Sequence, residues 1–236
     1  MNAVQTQTVQ LQPDQHTFDI AGANERGDCD HEGSLEAGLA EPVRFRMHGA
    51  SNGLPVVVLG GISADRSCDR WWRAVAGPGG ALDPRRHRLI SIDWMTAGQA
   101  RGRGVSTREH AQALGAVLDH LQINRITALV GASYGAMVGL AFVAEYPECT
   151  ERLIAISGAH RSTPAATAQR LVQRKIIRLA VNDGKPDCGV ALARALALTT
   201  YRPSDVFNQR FYDDDPETVV SALKSYLEYN GEAFAR

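Results

Sequence analysis

Short apolar runs alternate with helix-like stretches along residues 42–160. Five of these runs predict β-strands: Val43–Met47, Pro55–Leu59, Arg88–Asp93, Ile126–Val130 and Leu153–Ile156. Between two of them, the apolar residues that follow Ser106 recur at the spacing of one helix face, and Ser106 is a suitable N-cap. Strands that alternate with helices in this way predict an α/β fold with a mostly parallel sheet flanked by helices.

A different pattern begins after Ser157, where the strand signal ends. Apolar residues then take helical spacing in three segments, 164–181, 189–199 and 216–229. A run of helices after a core strand predicts a helical lid region over residues 161–236. A separate helical subdomain without a catalytic role is an open alternative. Residues 1–40 show no sustained periodicity and predict an irregular N-terminal arm, which leaves residues 41–160 as the α/β core.

Composition and charge narrow the class of protein. The 236 residues are 44% hydrophobic, which suits one sizeable core. The 25 basic and 26 acidic residues give a net charge of −1, which argues against a nucleic-acid binder. No apolar run approaches the roughly 18 residues of a membrane span, and the polar stretch Met1–Phe18 predicts no secretory signal. The scattered cysteines predict no disulfide framework, and no His, Cys or Asp cluster has metal-ligand spacing. These features predict a cytoplasmic protein.

The segment Gly131–Gly135 has the pattern G-x-S-x-G, with Ser133 at its centre. An apolar strand leads directly into it, and a helical segment, Ala136–Phe142, follows it. In this strand–turn–helix setting a tight turn exposes a serine hydroxyl above the edge of a sheet. We therefore predict Ser133 as a catalytic nucleophile, with a structural serine in an ordinary turn as the alternative.

A serine nucleophile needs hydrogen-bond donors for the oxyanion that forms on attack. The residue after the serine, here Tyr134, supplies one backbone N–H. The loop Gly60-Gly61-Ile62-Ser63 follows a predicted buried strand, and its glycines let the backbone approach a substrate closely. We predict the Ile62 N–H as the second donor, and an ordinary glycine turn after a strand is the alternative.

Three segments together resemble the homoserine O-acyltransferases, which are α/β-hydrolase-fold enzymes of methionine biosynthesis. The segments are Leu59–Arg66, Val130–Met137 and Gly189–Arg202, and the last is a lid signature that general hydrolases lack. The resemblance runs from about Ser34 to the C-terminus. It implies a ping-pong reaction in which succinyl-CoA or acetyl-CoA acylates Ser133 and L-homoserine then takes the acyl group, with no other cofactor. The glycine loop and the serine turn are more similar to the succinyl-using branch.

The resemblance also implies roles for individual residues. Arg194 in the lid would contact the carboxylate of the amino acid, because a guanidinium donates two parallel hydrogen bonds to that group. Arg174 and Tyr201 fall at positions near the family's substrate site. From the residues alone, solvated arginines and a packing tyrosine are the alternatives. The loop Gly60–Ser63 would set the choice of acyl group, and the enzyme would be a homodimer.

The chain departs from the family pattern after the serine. α/β-hydrolases place an acid and then a histidine after the nucleophile, and this family carries both beyond the lid. Here one histidine follows Ser133, namely His160, which we expect to be a surface or lid-contact residue. We therefore expect the 236 residues to be an incomplete acyltransferase with little activity alone. Homoserine O-acetyl transfer, a serine ester hydrolase and a truncated non-catalytic relative are open alternatives.

Overall fold

The computed structural model describes residues 28–36, 42–96 and 104–235. The chain divides into two compact units, which we call the core unit (residues 1–160) and the helical unit (residues 161–236). Within the described part of the chain, no helix is both long enough and apolar enough to cross a membrane.

Six strands form one mixed sheet in the core unit. They are β1 Asp28–Leu35, β2 Val43–Ala50, β3 Leu54–Leu59, β4 His87–Ile92, β5 Ala128–Ala132 and β6 Leu153–Ile156. Their order across the sheet is β1-β2-β4-β3-β5-β6. The pairs β1/β2 and β2/β4 are antiparallel, and the other three pairs are parallel. The mostly parallel sheet confirms the predicted α/β fold.

Helices cover both faces of this sheet. The core unit contains α1 Cys68–Trp71, α2 Arg73–Ala76, α3 Thr107–His120 and α4 Tyr134–Glu145. One face of the sheet, which includes Val57 and Leu129, packs against α3 and α4. The opposite face, which includes Val58 and Val130, packs against α1 and α2. Because both faces are covered, β3 and β5 are continuously apolar rather than alternating.

Strand β1 differs from the irregular arm that the sequence predicts for residues 1–40. Its residues alternate between the buried and the solvent side, with Cys29 buried and Asp30 exposed. It pairs with β2 along its full length, and Asp30 accepts a 2.8 Å hydrogen bond from Arg46 of that strand. The segment contains no Val, Ile or Thr, so its extended conformation comes from this pairing and not from local preference. Residues 1–27 and 37–41 of the predicted arm and linker lie outside the described residues.

The helical unit consists of α5 Pro164–Asn182, α6 Pro186–Leu198, α7 Ser204–Phe211 and α8 Pro216–Ala235. Helices α5, α6 and α8 confirm the three predicted helical segments, and α6 packs against both of the others. The sequence did not predict α7. This helix has only eight residues, about two turns, which is too short for helical spacing to be recognised in the sequence.

Candidate active site

Ser133 lies at the tight turn between β5 and α4. Its backbone has φ of 54° and ψ of −113°, which is a costly conformation for a residue other than glycine. A hydrogen bond joins the turn to the neighbouring strand β6, because the Ser133 N–H donates to the Ile156 carbonyl at 2.8 Å. The side chain itself is exposed. The strand–turn–helix geometry thus holds the Ser133 hydroxyl at the carboxyl end of the parallel strands, which is the edge where α/β sheets bind ligands.

The two glycines that flank the turn are required by close backbone contacts. A Cβ atom on Gly135 would lie 2.3 Å from the Leu59 carbonyl oxygen at the end of β3. A Cβ atom on Gly131 would lie 2.4 Å from the Gly135 carbonyl oxygen. Real Cβ atoms do not approach backbone so closely, so the first turn of α4 can pack against β3 and β5 only with glycine at both positions.

Two backbone N–H groups near Ser133 have no hydrogen-bond acceptor among the described residues of the core unit. They belong to Ile62 and Tyr134, the two predicted oxyanion donors. The loops that carry them are joined, because the Gly135 N–H donates to the Gly60 carbonyl at 2.8 Å. A free donor at the start of α4 and a second in the neighbouring loop are suited to a negative charge that develops on a substrate oxygen.

An aromatic cluster that the sequence analysis missed lies directly beneath these donors. The Trp94 ring meets the rings of Tyr134 and His110 edge-on, with centroid distances of 5.0 and 5.2 Å. The Trp94 indole N–H donates a 2.7 Å hydrogen bond to the Gly61 carbonyl. The signal that could have found Trp94 is its position two residues after β4, at the same edge of the sheet as the serine turn.

His110 is buried within this cluster in a neutral form. Its Nε2 accepts a 2.9 Å hydrogen bond from the Met95 N–H, so the proton is assigned to Nδ1. Nδ1 lies 3.1 Å from both the Ser106 carbonyl oxygen and the Tyr134 hydroxyl. Burial lowers the pKa of His110 below its usual value, which keeps the ring uncharged. His110 therefore supports Tyr134 and does not act on the nucleophile.

A cleft of about 590 Å³ opens beside the glycine loop of the core unit. Its lining includes three loop residues, Ile62, Ser63 and Ala64, together with Trp94. Asp93 at its rim forms ion pairs with Arg66 at 2.9 Å and with Arg44 at 3.4 Å, and these two cations compensate its negative charge. The loop that the resemblance assigns to acyl choice thus faces a space large enough for part of a substrate.

No described side chain of the core unit is hydrogen-bonded to the Ser133 hydroxyl. His160, the one histidine after the serine, is exposed. His48 and His110 are buried in the core. Among the described residues, no group of His, Cys, Asp and Glu could hold a metal ion. The described core residues thus supply an exposed serine and two N–H groups without acceptors, and they leave a base for Ser133 unassigned.

In the helical unit, the structure brings together two of the three predicted substrate-binding residues. Arg194 on α6 donates a 2.6 Å hydrogen bond to the Tyr201 hydroxyl, and its guanidinium lies 5.2 Å from the centre of the tyrosine ring. Tyr201 is 58% exposed, so the pair is accessible to solvent. Arg174 on α5 is exposed and forms no hydrogen bond or ion pair with the described residues of this unit. The pair can present a guanidinium to a carboxylate.

Comparisons with known proteins agree with this geometry. Residues 55–223 match the model of the alpha/beta hydrolase fold family. The chain is 36% identical over 216 residues to a homoserine O-succinyltransferase of Xanthomonas campestris pv. campestris, covering 86% of this chain and 57% of that protein. It is 31% identical over 186 residues to a homoserine O-acetyltransferase of Thermus thermophilus, covering 70% of this chain and 47% of that protein.

A solved structure shows the same fold. The homoserine O-acetyltransferase from Staphylococcus aureus superposes with a TM-score of 0.69 at 20% identity, covering 88% of this chain and 67% of that one. The chain spans about half the length of the curated relatives that it matches. These relatives confirm the resemblance to homoserine O-acyltransferases that the three sequence segments showed. The family model, the serine turn and the mostly parallel sheet together establish that the chain belongs to the α/β hydrolase fold family.

Proposed function

We propose that this chain carries out acyl-CoA-dependent O-acylation of L-homoserine through an acyl-Ser133 intermediate, with succinyl-CoA as the preferred donor. One observation carries the proposal. An exposed serine in a strained turn lies next to two backbone N–H groups without acceptors, in a chain 36% identical to a homoserine O-succinyltransferase. Methionine biosynthesis is the corresponding metabolic role.

In the first half-reaction, the Ser133 oxygen attacks the thioester carbonyl carbon of the donor. The carbonyl oxygen becomes negatively charged and accepts hydrogen bonds from the Ile62 and Tyr134 N–H groups. The carbon–sulfur bond then breaks, the CoA thiolate takes a proton, and the acyl group stays on Ser133. A base has to accept the serine proton during attack. The cleft beside Ile62 and Ser63 would hold the acyl chain.

In the second half-reaction, the homoserine hydroxyl attacks acyl-Ser133 and regenerates the free serine. Arg194 would hold the homoserine carboxylate through paired hydrogen bonds. The Tyr201 hydroxyl already accepts a hydrogen bond from Arg194, which limits the orientations available to the guanidinium. Arg174 is the second candidate for this carboxylate, because it is a cation without a partner in the described helical unit.

The test is mass spectrometry of the purified chain after incubation with succinyl-CoA or acetyl-CoA, with and without L-homoserine. We expect one succinyl group on the peptide that contains Ser133 and its transfer to homoserine, both slow, because the described core residues supply no base for the serine. L-Serine, one methylene shorter, serves as the competing acceptor, and Ser133→Ala is the negative control. Release of free succinate without acyl-homoserine would indicate the ester hydrolase instead. Absence of both acyl-Ser133 and product would overturn the proposal.

Three further expectations stay predictions: a homodimer, a cytoplasmic location, and no cofactor besides the acyl-CoA co-substrate. The molar mass of the chain in solution, measured by light scattering, tests the first. Activity after exhaustive dialysis against a chelator tests the last.

A further inference from the structure

We propose that Trp94 is a positioning residue that sets the direction of the Ile62 N–H through the Gly61–Ile62 peptide. This inference rests on the proposed function, in which that N–H binds the oxyanion. It concerns a side chain that would touch neither the nucleophile nor the reacting carbonyl, and that acts on the second donor through one hydrogen bond.

The argument begins with the planarity of the peptide unit. The Gly61 carbonyl and the Ile62 N–H belong to the same peptide, and in a trans peptide these two groups point in opposite directions. The Trp94 indole N–H donates to the Gly61 oxygen at 2.7 Å, and the Ala64 N–H donates to the same oxygen at 2.9 Å. Both lone pairs of that oxygen are therefore used. With the carbonyl fixed at one end, the Ile62 N–H is fixed at the other.

Apart from the Ala64 N–H, little else in the loop holds this peptide in place. A Cβ atom on Gly61 would meet no atom within 4 Å, and the Ile62 side chain is 51% exposed. Glycine also has wide freedom in φ and ψ. Without the hydrogen bond from Trp94, the Ala64 N–H alone would hold the Gly61 carbonyl. The Gly61–Ile62 peptide would then take a wider range of orientations, and the Ile62 N–H would no longer point at a constant position.

Trp94 is itself well anchored, and it contacts the second donor. Its ring packs edge-on against the rings of Tyr134 and His110. His110 is fixed in turn by the Met95 N–H and the Ser106 carbonyl. Because Tyr134 carries the other oxyanion N–H, one aromatic ring connects the two halves of the anion site. Both donors are thereby oriented before any charge develops, which is the condition for transition-state stabilisation by fixed dipoles.

The test compares Trp94→Phe with a matched control, Trp71→Phe. Trp71 donates an equivalent indole hydrogen bond to a backbone carbonyl, that of Asp65 at 2.8 Å, four peptides further along the chain. We expect Trp94→Phe to lower the single-turnover rate of Ser133 acylation about 10- to 100-fold, less than the loss of a whole donor would. The KM for the acyl donor should stay within about twofold, and Trp71→Phe should acylate within about twofold of the parent chain.

A second readout does not depend on activity. In the ¹⁵N NMR spectrum, Trp94→Phe should shift or broaden the Ile62 amide resonance, whereas Trp71→Phe should leave it in place. A tryptophan analogue with sulfur in place of the indole N–H, introduced at position 94, keeps the ring packing and should behave like Trp94→Phe. The inference is overturned if either position-94 variant acylates like the parent chain, or if acylation falls while the Ile62 resonance is unchanged.

The design separates this inference from the proposed function. Acylation is followed with an activated p-nitrophenyl ester as well as with acyl-CoA. If Ser133 reacts with the ester but homoserine is never acylated, the proposed function fails and the comparison of Trp94 with Trp71 still decides the role of Trp94. If Ser133 reacts with neither donor, the Ile62 resonance decides whether Trp94 orients the peptide.

Discussion

The core unit and the helical unit differ in how completely their apolar side chains are buried. In the core unit, strand residues such as Val57, Ile90 and Leu129 have no accessible surface. In the helical unit, α5 contains no buried residue, and its Leu171 and Leu179 are 60% and 61% exposed. The core unit is therefore ordered mainly by burial of its own apolar side chains, and the helical unit buries far less.

The same difference extends to the candidate site. In the core unit the chemical groups are a serine in a strained turn and two backbone N–H groups, all fixed by neighbouring backbone. In the helical unit they are two long side chains, Arg194 and Tyr201, on a surface open to solvent. In the proposed reaction, acylation would therefore depend on fixed backbone geometry, and binding of the acceptor would depend on long side chains.

The largest expected effect is on Ser133 itself. Ser133→Ala and Ser133→Gly should both abolish formation of the acyl intermediate, because the Ser133 oxygen carries the acyl group in the proposed reaction. The two variants should differ in stability. With φ of 54° at this position, we expect the glycine variant to have a free energy of unfolding about 1 kcal/mol higher than the alanine variant. Denaturant unfolding measures this difference, and equal stabilities would show that the turn is not strained.

Gly135→Ala should cause the next largest change, this time in folding. A methyl group 2.3 Å from the Leu59 oxygen forces α4 away from β3, and we expect a loss of about 3 kcal/mol in the free energy of unfolding. Gly61→Ala is the control, since a Cβ atom there meets nothing within 4 Å, and its unfolding should change by less than about 0.5 kcal/mol. A well-folded Gly135→Ala variant would contradict the close packing of helix on strand.

Arg194→Ala tests whether the helical unit serves the acceptor alone. We expect acylation of Ser133 to be preserved and transfer to homoserine to fall about 10- to 100-fold, the usual value of a charge-assisted hydrogen-bond pair. Arg178→Ala on α5 is a control for loss of a surface charge. Rapid-quench measurement separates the two half-reactions. If the rates of both half-reactions fell equally, Arg194 would act in folding or on the donor, and the assignment of acceptor binding to the helical unit would be wrong.

The smallest expected effect is a change in the free energy of unfolding at His48, a buried residue away from the candidate site. It is 7% exposed, and neither ring nitrogen has a hydrogen-bond partner. Burial, and then the nearby charge of Arg46, lower its pKa, while Asp69 and Asp30 oppose the shift. Removing an unpaired buried polar ring with His48→Leu should raise the free energy of unfolding by about 1 kcal/mol.

The gain from His48→Leu should depend on pH in a defined direction. The pKa of His48 in the folded chain lies below its usual value, so the unfolded chain takes up a proton first as the pH falls below about 6.5. The parent chain therefore loses stability as the pH falls from about 6.5 toward the lowered folded pKa, and the variant loses less. Unfolding measured at about pH 5.5 and about pH 7.5 should show the larger gain at the lower pH. A gain that is independent of pH would contradict a neutral, buried His48.

The local sequence was sufficient to predict a strand or helix where the residues that show the pattern are also the residues whose burial or capping stabilises it. The five predicted strands and the helices α3 to α6 and α8 were found because continuous apolar runs and helical stripes directly record which faces are buried. Ser106 and Glu109 form the capping box that starts α3, which is also a local signal. Strand β1 was missed because its own residues do not favour an extended conformation, which pairing with β2 imposes, and helix α7 was missed because it has only eight residues.

By itself, the sequence determined the fold class, the serine turn and the resemblance to an acyltransferase family, and it predicted Ile62 and Tyr134 as oxyanion donors. Each of these inferences depends on a short segment of the chain, such as the glycines two positions from Ser133. Only the tertiary structure decided that Trp94 donates to the Gly61 carbonyl, that His110 is a neutral support for Tyr134, and that Arg194 meets Tyr201. Those contacts join residues between 7 and 33 positions apart, and a single sequence does not record which side chains folding brings together across such separations.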